Sequence, residues 1–139
     1  VVVLASFIPM LMDTGGNAGS QSSALVIRGL ALGEIRTRDA LKVLWKEIQV
    51  SCLVGIVLTS VNFVRIYFFE KAELLVAVTV CVTLFFTVVL AKIIGGILPI
   101  MAKKLKLDPA IMAGPLITTV VDAVALTIYF SIATWLLGI

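Results

Sequence analysis

Of the chain's 139 residues, 61% are hydrophobic and 14% charged, with a formal net charge of +3, and the mean hydropathy is +1.19. That balance excludes an ordinary soluble domain, and basic residues gathered at the ends of apolar runs, with no solvated patch of interleaved aromatics, exclude a nucleic-acid-binding module. Histidine is absent and the two cysteines, Cys52 and Cys81, stand alone inside apolar stretches, so the usual general base, zinc ligand and redox pair are missing, enzyme chemistry has no support, and the chain reads as an all-α integral membrane protein, a polytopic helical bundle.

Four stretches supply the roughly 20 apolar residues that cross a hydrocarbon core. The first covers about residues 1–32 and is interrupted by Asp13-Thr14-Gly15-Gly16-Asn17. Two readings of that interruption stay open. If the helix opens at the glycine pair, the freed carbonyls and the negative end of the first half-helix favour a cation. If it continues, Asp13, Asn17, Ser20 or Gln21, Ala24 and Arg28 fall on one face. Either way the segment carries a polar stripe. Gly15 and Gly19, like Gly29 and Gly33, also fit close helix contacts through small residues, but that leaves Asn17, Ser20, Gln21, Ser22 and Ser23 unexplained.

The second span covers about residues 41–64, with residues 41–47 as an amphipathic lead-in at the membrane surface. The third covers about 73–101 and holds Lys92, Gly95, Gly96 and Pro99. The fourth covers about 109–138, and its single charge is Asp122. An unpaired acid at that depth costs roughly 2.5 to 3.5 kcal/mol on insertion scales, so its default reading is an ion or proton pathway. Gly114, Thr118, Asp122, Ala125 and Tyr129 fall on one helical face, and Pro115 removes a backbone donor near the start. The bland alternative is a structural bridge from Asp122 to Lys92, since helical rise puts the two roughly 21 and 16 Å from Asp108 and Lys103. Against it, Lys92 can snorkel to the headgroups along its aliphatic stem.

Charge sets the orientation. Arg28, Arg36, Arg38, Lys42 and Lys46 lie between spans one and two, and Lys103, Lys104 and Lys106 between three and four, while Arg65 and Lys71 alone lie between two and three. Eight against two puts the first and third connections on the cytoplasmic side and both termini outside. A chain whose first residue, Val1, already lies in an outward-facing span is expected to follow another span, so the sequence reads as a transmembrane pore domain over residues 1–139 of a longer protein.

A carboxylate among hydroxyls and amides is a hard oxygen donor set that suits magnesium, calcium or sodium, with magnesium the best fit because it keeps much of its water. A conducting site also needs binding weak enough for exit, so one or two acids serve better than a cage. No glycine-rich phosphate loop with its lysine occurs, so no nucleotide is expected to bind.

The run Pro9-Met10-Leu11-Met12-Asp13-Thr14-Gly15-Gly16-Asn17-Ala18-Gly19-Ser20-Gln21 resembles the signature of the MgtE magnesium transporter family, and Asp108-Pro109-Ala110 followed by Gly114-Pro115-Leu116-Ile117-Thr118-Thr119-Val120-Val121-Asp122 resembles that family's last span. The likeness covers essentially the whole chain. It implies a homodimer in the cell membrane, five spans per subunit, with the second and fifth helices lining a magnesium-selective pore, so that the four spans here would be the second to the fifth. It implies that Asp122 holds hydrated magnesium and that Gly16, Asn17, Gly19 and Ser20, with Gly114 and Thr118, line the pore, Asp13 and Gln21 being secondary polar groups. Ser20 and Gly114 depart from relatives that carry asparagine there. Cytosolic CBS-type regulatory domains are expected outside these residues. Proton- or sodium-coupled transport through Asp122 and a non-conducting membrane scaffold are the alternatives, and selectivity among magnesium, manganese, cobalt and calcium stays open.

Overall fold

A computed structural model describes residues 1–139 as an all-α bundle with no strands. The helices are α1 (Val2–Ala5), α2 (Ile8–Ala31), α3 (Ala40–Val64), α4 (Leu74–Lys104) and α5 (Pro115–Leu137). Short 3-10 turns at Thr37–Asp39 and Pro109–Met112 lead into α3 and α5, and a π turn at Arg65–Phe69 ends α3, where Arg65 pairs with Glu70. The lead-in expected at residues 41–47 is part of α3 itself.

α4 is the axis of the bundle, packed against α2, α3 and α5. Its sequence is apolar all round, which is the pattern of a helix surrounded by protein and lipid rather than water. Leu84 and Val88 of α4 join Leu11 of α2 and Ile117 and Val121 of α5 in the main core. α3 covers the other side of α4 and turns Leu53, Ile56, Val57 and Val61 outward. Three helical segments, Thr37–Phe69, Leu74–Lys104 and Pro115–Leu137, are long and apolar enough to cross a membrane. α2 has 24 residues, about 36 Å of helix, so it has the length, but its polar residues lower its hydropathy.

The glycine pair does not break α2, which resolves the two readings above in favour of a continuous helix. Packing explains the glycines instead. A Cβ on Gly15 would lie 2.7 Å from Thr87 Cγ2, one on Gly19 would lie 3.2 Å from the Ala91 carbonyl oxygen, and one on Gly95 would overlap the carbonyl oxygen of Gly19. Backbone thus meets backbone where α2 crosses α4, the close approach that small residues permit between membrane helices. Gly29 makes room for the Ile35 side chain of the loop that follows α2, whereas Gly33 sits in a turn at φ +75° with no neighbour within 4 Å.

Hydroxyls along the helices are largely answered locally, the buried Thr59 and Thr87 hydroxyls excepted. Thr79, Thr83, Thr127 and Ser131 donate to carbonyls one turn back, the usual resolution for hydroxyls in an apolar surrounding. Tyr129 Oη donates to the Leu4 carbonyl at 2.7 Å and Ser23 Oγ to the Met112 carbonyl at 2.7 Å. These two bonds tie the turn before α5 to α2 and the second half of α5 to α1, the N-terminal segment running antiparallel to α5.

Candidate functional site

Because α2 and α5 run antiparallel, residues early in α2 lie level with the first half of α5. Between them is an open groove of about 220 Å³ lined by Met12, Asp13, Gly16 and Asn17 of α2 and Thr118 and Asp122 of α5. Gly16 forms part of its floor, where a Cβ would lie 3.3 Å from Thr118 Cγ2. Asn17 Nδ2 donates to Asp13 Oδ2 at 3.3 Å, leaving the Asn17 side-chain carbonyl oxygen free. Thr118 Oγ1 donates to the Pro115 carbonyl at 3.0 Å, so its lone pairs remain available to accept. With the Asp122 carboxylate, the groove gathers two acids, an amide oxygen and a hydroxyl.

These are hard oxygen donors, suited to a cation that keeps its water. No group of three histidine, cysteine, aspartate or glutamate side chains is close enough to grip a metal ion directly.

Of the residues singled out by sequence, Asp13, Gly16, Asn17, Thr118 and Asp122 meet in this groove; Gly19, Ser20, Gln21 and Gly114 do not line it. Gly19 is buried against α4 and α5, touching space held by Ala91, Ile117 and Val121. Ser20 is half-buried. Gly114 is exposed in the turn before α5 with φ +57° and ψ −120°, a conformation glycine adopts without strain. Pro115 occupies the first turn of α5, where its missing N–H has no partner to lose, so it interrupts nothing. The face expected to run through Gly114, Thr118, Asp122, Ala125 and Tyr129 splits: Ile117, Val121, Ala125, Tyr129 and Ala133 form the buried stripe, and Asp122 stands at its edge.

The bridge from Asp122 to Lys92 does not form, and Lys92 does not snorkel. It is 3% exposed, and its Nζ donates to Gln21 Oε1 at 3.2 Å and to Ser22 Oγ at 3.4 Å. Ser22 Oγ in turn donates to Glu47 Oε2 at 2.7 Å. Sequence reasoning missed this relay, which ties α2 to α3 and α4 through an ammonium, a hydroxyl and a buried carboxylate. The signal available was Glu47 itself, an acid standing at the edge of the long apolar run that begins at Ile48.

A protein-family model described as "MgtE: Divalent cation transporter" matches residues 8–132. The chain is 41% identical over 134 residues to the magnesium transporter MgtE of Bacillus subtilis, which is 96% of this chain and 30% of that protein. It is 38% identical over 137 residues to the magnesium transporter MgtE of Thermus thermophilus, covering 99% of this chain and 30% of the relative. A third protein of that name, from Enterococcus faecalis, is 30% identical over 132 residues, which is 95% of this chain and 29% of that protein. The chain thus spans about 30% of the length of these relatives. With the polar groove set in an all-α membrane bundle and the family match running through both of its walls, the chain belongs to MgtE, a family of divalent cation transporters rather than enzymes.

Proposed function

We propose that the chain is the membrane part of a magnesium transporter in the cell membrane, and that two copies face each other across a water-filled path lined by α2 and α5. The observation that carries this reading is the groove itself. Asp122 lies about 10 Å along α5 from its start, and it opens with Asp13 and Asn17 on a surface that the rest of the chain leaves uncovered. Turned to hydrocarbon, the two carboxylates would cost roughly 5 to 7 kcal/mol together. Water and a second polar face remove that cost, and a two-fold axis along the groove brings a second Asp122 to the same path.

In this arrangement magnesium is cargo. The carboxylates attract it through its hydration shell, while Thr118 and Asn17 accept hydrogen bonds from its waters. Two acids around a hydrated ion hold it loosely enough to leave, and the gradient across the membrane supplies the driving force. α2 joins the three apolar helices as a fourth span because its polar face is turned to the path, and the basic connections around residues 28–46 and 103–108 face the cytoplasm.

Ion flux into liposomes tests the reading, with the wild type set against Asp122→Ala and magnesium, then calcium, outside. Magnesium flux in the wild type and its loss in an Asp122→Ala variant that still assembles are the expected results. Equal flux through both proteins would remove Asp122 from the path.

A further inference from the structure

At the basic end of the bundle a second cavity of about 540 Å³ opens between the end of α2 and the start of α3, on the side of α2 away from the groove. Three cations line it: Arg28, Lys46 and the buried Lys92. Leu25, Val43 and Val50 supply an aliphatic wall, and Glu34 stands at the rim. Arg28 and Lys46 are exposed and form no ion pair or side-chain hydrogen bond within the chain. Lys92 Nζ has three hydrogens and spends two of them on Gln21 and Ser22, so a third remains for a ligand. Glu47, the other acid of the cavity, is engaged by Ser22. Counting Glu34 and Glu47 against the three cations leaves one positive charge.

We infer that this cavity binds an anionic phospholipid of the cytoplasmic leaflet, its phosphodiester between Arg28, Lys46 and Lys92 and its first acyl carbons along Leu25, Val43 and Val50. The singly charged phosphodiester matches the residual charge, and the aliphatic wall beside it distinguishes a lipid from a free anion. Basic pockets between membrane helices on the cytoplasmic side recognise such headgroups. The site lies where the positive-inside asymmetry puts the inner leaflet. The lipid would bridge α2 to α3 at the point where the Lys92, Ser22 and Glu47 relay already joins them.

The test is a lipid titration of the full-length protein in detergent, read by native mass spectrometry, with phosphatidylglycerol and phosphatidylcholine of the same acyl chains. Phosphatidylglycerol is expected to bind at least about five-fold more tightly, and Arg28→Gln and Lys46→Gln each to weaken it roughly five-fold, the effect of about 1 kcal/mol per basic group at a membrane surface. Glu34→Gln should tighten it. Arg38→Gln with Lys42→Gln removes two basic residues that lie outside the cavity and should change affinity less than about two-fold, since neither touches the headgroup. Equal affinity for the two lipids, or an equal loss in the Arg38 and Lys42 control, would overturn the site, and displacement of the lipid by inorganic phosphate at matched concentration would overturn its assignment to a lipid.

Discussion

Gly95→Ala is the substitution whose effect follows most directly from the geometry. Alanine is favoured over glycine in a helix by about 1 kcal/mol, so on propensity alone the change stabilises α4. The added Cβ, however, overlaps the carbonyl oxygen of Gly19, a backbone atom of α2 that no rotamer change can move. The helices must separate, loosening Ala91, Ile117 and Val121 around Gly19. Overpacking typically costs about 1 to 3 kcal/mol, and with backbone as the obstacle the upper end applies, about 3 kcal/mol. The net expectation is a loss of about 2 kcal/mol. Its neighbour is the internal control. At Gly96 the obstacle is Glu47 Cγ at 2.9 Å, a side-chain atom of a buried residue held by Ser22 but not backbone, so Gly96→Ala is expected to lose about 1 kcal/mol, less than Gly95→Ala. Reversible unfolding in mixed micelles measures both. Equal stabilities for the two variants, or a Gly95→Ala protein as stable as wild type, would refute the backbone contact between α2 and α4.

Three further outcomes follow from the same structure. Lys92→Met is expected to destabilise by about 1 to 3 kcal/mol, because it removes the donor to Gln21 and Ser22 and leaves the buried Glu47 carboxylate without the ammonium on the far side of Ser22, and adding Glu47→Gln should recover part of the loss in a double-mutant cycle. Tyr129→Phe removes the donor to the Leu4 carbonyl and should cost about 1 kcal/mol in the same unfolding assay while leaving ion flux unchanged, since Tyr129 lies in the buried stripe and outside the groove. Asp122→Asn keeps the size and the hydrogen-bonding oxygen but removes the charge, so liposome flux should fall well below wild type with assembly intact; unchanged flux would mean that a neutral donor suffices there.

The helical class was legible because long apolar runs with charges at their ends admit few other folds, and Asp13, Asn17, Thr118 and Asp122 were legible because they interrupt such runs at helical spacing, while Gly16 was singled out through the family resemblance. What spacing does not encode is which neighbour a helical face meets. Gln21 follows Asn17 by one turn and shares its face, yet its long side chain reaches Lys92 instead of the groove. Depth along the axis put Lys92 within range of Asp122, but depth is one coordinate, and rotation about α4 sends the ammonium to Ser22. Glycines were ambiguous for a similar reason. Gly16 and Gly19 are near neighbours in one motif, but one forms the groove floor and the other is buried against α4 and α5, a difference that only the packed helices define.

The central claim, that the face shared by α2 and α5 lines a watery ion path, is tested most directly by labelling Asn17→Cys with Asp122 left in place, in a background with Cys52 and Cys81 replaced by alanine. A small, charged, membrane-impermeant thiol reagent should modify that cysteine in liposomes, magnesium should slow the reaction, and a cysteine at Val57 on the outer face of α3 should stay inert. Modification of the Asn17→Cys protein only by a lipid-soluble reagent, with no effect of magnesium, would contradict the account.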